Sequence, residues 1–167
     1  TFGGGLLTTC GLSHAGGPEL DEYGDRGLHG NISNTAAEIE SIIQPDPLAG
    51  KMEMSISGSM RETQVLGPNL ELKRTISGSL GESKIYIKDE VTNKGNSPAP
   101  HMLLYHCNFG WPLVDEGTDI LWDGKWRPRD GDTNTNKIFG KSNNFRKCPA
   151  PMDAHSGTGE EAAFIDI

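Results

Sequence analysis

The sequence has no long apolar run, and its uninterrupted apolar stretches fall far short of the roughly 20 residues that a membrane-spanning helix needs. The start shows no basic region followed by an apolar core, so neither a signal peptide nor a membrane partner is expected. Cysteine is scarce. Cys10, Cys107 and Cys148 cannot all pair within one chain and none has CxxC spacing, which predicts reduced thiols in a cytoplasm and no cysteine-held zinc. Positive charge is also in short supply, with 15 Lys and Arg against 23 Asp and Glu and a formal net charge of -8. Phosphate binding draws on clustered Lys and Arg, so nucleic acid is excluded and a neutral or cationic small molecule fits better. Helical periodicity is missing throughout. The glycines at Gly3-Gly4-Gly5 have neither GxGxxG spacing before a helix nor a Gly-Lys-Ser/Thr ending, so they do not form a phosphate loop.

What is present is a strand pattern. With 167 residues, 34% of them apolar and 23% charged, the chain is long enough for a single globular domain with a real core. Residues Ala37 to Ile42, Met52 to Ser57 and Leu70 to Lys73 alternate apolar with polar, the period of half-buried strands, and Arg74-Thr75-Ile76-Ser77 and Ser83 to Thr92 continue the series. Gln44-Pro45-Asp46-Pro47, Leu66-Gly67-Pro68-Asn69, Gly78-Ser79-Leu80-Gly81 and Asn93-Lys94-Gly95-Asn96 read as the turns between them. Antiparallel strands with one wet face bury the other against a second sheet, which predicts an all-β antiparallel sandwich spanning 1–167. Both ends read as cut. Phe164-Ile165-Asp166-Ile167 alternates like a strand that lacks its neighbour, so the chain is expected to be the central part of a larger domain and to self-associate through exposed strand edges near Leu6-Leu7 and Phe164-Ile165.

Three segments are candidates for chemistry. Met102 to Leu113 is an apolar run with one imidazole, His106, bracketed by Leu, Tyr, Phe and Trp; Gly110 and Pro112 are expected to end its strand, and Asp115-Glu116-Gly117 make a polar turn after it. Partial desolvation would make that ring responsive to a neighbouring carboxylate; the alternative is a core histidine bonded to backbone. Residues Glu19 to Asn34 show no period and read as an irregular loop. They present Arg26 and His29 between glycines, with Arg26 offering a planar fork of donors to hydroxyl or acidic oxygens, or pairing with Asp25 on a solvated loop. Thr118 to Lys147 reads as a long loop or a set of short strands, and Trp111, Trp122 and Trp126 could be platforms for sugar rings or simple anchors. His14 is read as a loop residue, and His155 is given no role.

Several ordered stretches together resemble the aldose 1-epimerase, or galactose mutarotase-like, superfamily, and more narrowly a bacterial branch of it. They are Gly4-Gly5-Leu6-Leu7-Thr8-Thr9-Cys10-Gly11-Leu12, Gly27-Leu28-His29-Gly30, Asp89-Glu90-Val91-Thr92-Asn93-Lys94-Gly95 and Pro100 to Gly110, spanning most of residues 3 to 117. The resemblance implies a large β-sandwich that binds a small-molecule sugar on one concave sheet face and interconverts its anomers without a cofactor. It implies that His106 is the general acid on the ring oxygen and that His29 steadies the substrate, to which the loop reading adds Arg26 as a second substrate-binding residue. The family's general base, a glutamate, has no match here: Glu160 and Glu161 lie in a polar turn, so the base is expected beyond Ile167. Two alternatives stay open, a non-catalytic carbohydrate-binding sandwich and a metal-dependent β-fold on His14, His29 and His106. The metal reading ranks lowest, because no pair has ligand spacing on one strand.

Overall fold

The computed structural model describes residues 5–128, 146–150 and 163–166. It is an all-β antiparallel sandwich, with no α-helix among the described residues and no helix long and apolar enough to cross a membrane. The chain divides into two compact units, residues 1–108 and 109–167.

In the first unit β1 (Leu7–Leu12) is followed by a short hairpin of β2 (Glu19–Asp21) and β3 (Gly24–Arg26) and by a 3-10 turn at Ile32–Asn34. Strands β4 (Glu38–Ile43), β5 (Glu53–Thr63), β6 (Asn69–Ser79) and β7 (Tyr86–Asn93) then form one antiparallel sheet in that order. Alternation explains it. Met54, Ile56 and Met60 of β5 share a face with Leu70, Leu72 and Ile76 of β6, while Ser55, Ser57, Thr75 and Ser77 take the other, where the Ser57 and Thr75 hydroxyls bond at 2.9 Å. The last strand of the unit, β8 (Met102–Cys107), pairs antiparallel with β1.

The β1–β8 pair covers part of the apolar face. Leu12 and Ile32 pack there with Leu70 and Leu72, flanked by Met60, Val91, Ala99 and Leu103. The rest of that face is open: Ile42, Ile56, Ile76 and Ile87 are in register across the four strands, and each is more than a third exposed. A groove of about 380 Å³ beside them is lined by Ile43, Met54, Ile56, Ile76 and Ile85. The open apolar area thus lies on this face. At the segments expected to present bare edges, Leu7 pairs with Cys107 and Phe164 with Arg127.

Three sequence expectations need correction. Residues 70–77 form one strand, not two, and the following turn begins at Leu80. The apparent break came from Arg74, a charge on the apolar face. The 19–34 segment contains a hairpin, because three-residue strands are too short to show a period and are fixed instead by side-chain bonds such as Asp21 Oδ1 accepting the Tyr23 N–H at 2.8 Å. The apolar run from Met102 continues to Leu113, yet its strand stops at Cys107 and Phe109, Trp111 and Leu113 stand exposed.

In the second unit β9 (Lys125–Pro128) pairs with β10 (Ala163–Asp166), and the Arg127 guanidinium lies 4.4 Å from the Phe164 ring centre. Arg146 stacks on Trp122 at 3.5 Å and donates to its carbonyl, so one face of that indole is occupied. Expectations for residues 129–145 and 151–162, including His155, Glu160 and Glu161, fall outside the described residues.

Leu72 is 1% exposed and Leu48 wholly so. Leu72→Ala should therefore cost about 2–5 kcal/mol in urea unfolding and Leu48→Ala less than about 0.5 kcal/mol. Equal losses would refute this placement of the core.

Candidate functional site

Strand β1 gathers the candidate residues. The His29 segment runs along one side of it: the Gly11 N–H donates to the His29 carbonyl at 3.2 Å, the Asn31 N–H donates to the Gly11 carbonyl at 3.1 Å, and Gly11 and Gly30 form a parallel bridge. The His29 N–H donates in turn to the Gly16 carbonyl at 2.8 Å. Both backbone groups of His29 are thereby engaged, and the residue is held at φ 63°, in the left-handed region that costs a side-chain-bearing residue of order 1–3 kcal/mol.

On the other side of β1 lies β8, where His106 is the cross-strand partner of Thr8. Thr9 and Tyr105, the next pair along, turn inward to the four-stranded sheet, where Arg74 Nη1 donates to Thr9 Oγ1 at 2.8 Å and the Tyr105 hydroxyl donates to Asp89 Oδ2 at 2.6 Å. Strand alternation then directs the half-buried His106 to the opposite face, away from that sheet. Gly11 and Thr8 are three residues apart, so the His29 and His106 segments meet β1 about 10 Å from each other.

Arg26 closes the C-terminal end of β1. Its side chain is 8% exposed, its Nε donates to Asp21 Oδ2 at 2.8 Å, and its Nη1 donates to Ser13 Oγ at 3.3 Å. The partner is Asp21 rather than the neighbouring Asp25, because the hairpin sets Asp21 opposite Gly24, diagonal to Arg26 and on the same face. Glu62 of β5 completes the group: its carboxylate accepts the Ser13 hydroxyl and the N–H groups of Leu12, at 2.9 Å, and Ser13, at 3.3 Å. Arg26 Nη2 is buried with no partner among the described residues.

His14 is buried, with Nδ1 3.0 Å from Glu19 Oε1 and Nε2 2.9 Å from the Gly17 carbonyl, so both ring nitrogens are occupied by the loop itself. Among the described residues no group of three or more His, Cys, Asp or Glu is arranged to hold a metal.

The polar quartet inside the sandwich was missed in the sequence. Arg74 Nε and Nη2 donate to the two oxygens of Asp89 at 2.7 and 2.6 Å, and Asp89 is 4% exposed. Burial acts to raise the Asp89 pKa, but hydrogen bonds from Arg74 and Tyr105 outweigh it and hold the carboxyl below its ordinary value. Burial, then the bond to Asp89, pushes the Tyr105 phenol up. A usable signal existed: Arg74 and Asp89 are charges interrupting the apolar phase of two neighbouring strands at paired positions.

The model of a family described as a domain of unknown function, DUF4432, matches residues 1–167. The chain belongs to that family. No curated protein matches it. Among solved structures it resembles a crystal structure described as that of a "putative aldose 1-epimerase" from Klebsiella pneumoniae subsp. pneumoniae MGH 78578, with 26% identity and a TM-score of 0.57. The match covers 67% of this chain and 29% of that one, so this DUF4432 chain corresponds to under a third of that protein's length.

Two predictions follow from the site. At Gly30, with φ 74°, an added Cβ would overlap the carbonyl oxygens of His14 and Gly11, both backbone. Gly30→Ala should shift the urea midpoint by more than the ~1 kcal/mol of an ordinary glycine change and perturb the His29 amide in NMR spectra; a silent variant would contradict the close approach.

For pH, Asp89 is depressed when folded, so its contribution is present above the unfolded value near ~3.9 and is lost as pH falls through the lower folded value. Tyr105 is raised, so its contribution is present below the unfolded value near ~10 and is lost as pH rises through the folded one. Stability measured by urea unfolding should therefore show an acid limb that is shallower in Asp89→Asn and an alkaline limb that is shallower in Tyr105→Phe. Unchanged slopes would contradict the assignment.

Proposed function

We propose that this chain carries the sugar site of an aldose 1-epimerase-like isomerase, with His106 as general acid and with His29 and Arg26 holding the sugar. The reading rests on one observation above all: residues 29 and 106, far apart in sequence, meet the same strand, β1, and residue 26 bonds to Ser13 directly after it. The likeness to a protein described as an aldose 1-epimerase supports the same class.

The chemistry is a balanced proton exchange. A base takes the proton of the anomeric hydroxyl, its oxygen becomes a carbonyl, the bond from the anomeric carbon to the ring oxygen breaks, and His106 gives that oxygen a proton. Rotation about the adjacent carbon–carbon bond and reversal of these steps return the other anomer, with no net gain or loss of electrons. An imidazole suits the acid role because its ordinary pKa, about 6.5, lets it give and retake a proton near neutrality. The Arg26 guanidinium and the His29 ring supply hydrogen bonds to sugar oxygens. The base is a glutamate that the resemblance places outside the matched motifs.

The test is sugar titration by calorimetry, with α/β exchange of galactose and glucose followed by NMR. Arg26→Met and His29→Ala should each weaken binding about 10- to 100-fold, as expected for losing a hydrogen bond to a charged or ring donor in a site. His106→Gln should lower any acceleration of exchange by about 10²–10⁴-fold while leaving binding largely intact. Undiminished affinity in the first two variants would overturn the site. Binding without acceleration in the unmodified chain would assign the non-catalytic carbohydrate-binding reading instead.

A further inference from the structure

We propose that Thr9, Arg74, Asp89 and Tyr105 are the positioning residues of His106, acting from the opposite face of the β1–β8 pair. The inference rests on the reading of His106 as a proton donor. Thr9 and Tyr105 are cross-strand partners in one layer, and Arg74 and Asp89 are cross-strand partners in the other. The four meet through Arg74 to Thr9 at 2.8 Å, Tyr105 to Asp89 at 2.6 Å and a two-pronged Arg74–Asp89 pair at 2.7 and 2.6 Å. The Arg74 guanidinium also sits 5.8 Å from the Tyr105 ring centre.

Apart from the bonds of Glu62 to Leu12 and Ser13 at the far end of β1, which do not reach β8, the contacts between the layers are those of an apolar cluster that includes Leu12, Leu70, Leu72 and Leu103, and apolar contact is non-directional. Leucines hold two sheets together but do little to set how far one slides or twists on the other. A two-stranded ribbon such as β1–β8 is also the kind of sheet whose twist varies most. The quartet adds fixed directions and lengths on both strands at a single register position. His106 and its partner Thr8 are the adjoining pair, so a displacement of Tyr105 is passed through one peptide unit to the imidazole.

Stability is a poor explanation for the quartet. A buried ion pair is often matched or exceeded by apolar residues of the same volume, whereas a fixed geometry is something apolar residues do not supply. Proton transfer is sensitive to that geometry, since a misplacement of about 1 Å can cost about 10²-fold.

Tyr105→Phe and Thr9→Val each delete one hydroxyl, and Thr9→Ser keeps it. The His106 ring signals, assigned by their loss in His106→Gln, are followed by NMR across pH alongside kinetics. We expect Tyr105→Phe and Thr9→Val to move those signals and their titration midpoint and to lower kcat by about 10- to 100-fold at unchanged KM, with Thr9→Ser restoring both. Leu72→Val, which destabilises the same layer contact, should move neither. The proposal is overturned if the His106 signals and midpoint stay at wild-type values in Tyr105→Phe and Thr9→Val, or if Leu72→Val changes them equally. The ring signals decide this even if His106→Gln retains full activity, a result that would overturn the proton-donor reading alone.

Discussion

Much of this structure depends on the absence of one side chain. Gly11, at φ 144°, brings the backbone of β1 so close to β8 that an added Cβ would lie 2.5 Å from the Met102 carbonyl oxygen. On the other side the same residue exchanges hydrogen bonds with the His29–Asn31 segment, where Gly30 makes an equally close approach. Three stretches of chain meet at one point because two glycines allow it. The His29 and His106 segments are carried to a common strand by backbone contact.

Around that junction, charge is used locally. Glu62 neutralises the end of β1 and with Asp21 holds Arg26, while Asp89 and Arg74 occupy the interior between the layers. Each carboxylate that is withdrawn from water here has a cationic or multiple-donor partner, as the cost of desolvation requires. The hydrophobic contribution is concentrated in a few leucines near β1, and the isoleucine row farther along the sheet gains little from burial in this chain.

The fold was legible where side chains alternate over long strands. Residues 53–57 and 86–92 state their own phase, and the sandwich follows from it, whereas the continuation of β5 through 58–63 was not read. His29 and His106 were singled out as candidates by their glycine and aromatic settings and by the family resemblance, and only the backbone pairing shows that both segments border β1. The Asp25 pairing weighed as the alternative for Arg26 gives way to Asp21, a partner that depends on a hairpin too short to leave a pattern. The Arg74–Asp89 pair was obscured because alternation treats a charge in an apolar phase as a strand end. Only the register of β6 against β7 shows that the two interruptions face each other.

Strand β4 carries a register shift between Ile39 and Ser41, which makes Glu40 the supernumerary residue opposite the Gly58–Ser57 step. The extra residue is what lets Ile39 and Ile42, three positions apart, share the apolar face. Elsewhere in a strand, loss of one residue inverts every side chain beyond it. Loss of Glu40 would leave Ile39, Ser41 and Ile42 in simple alternation, with both isoleucines on their present side. Within the β-sheet of this family, a one-residue gap should therefore be tolerated best at this position, and sequences that differ in length there can keep the same side chains on each face.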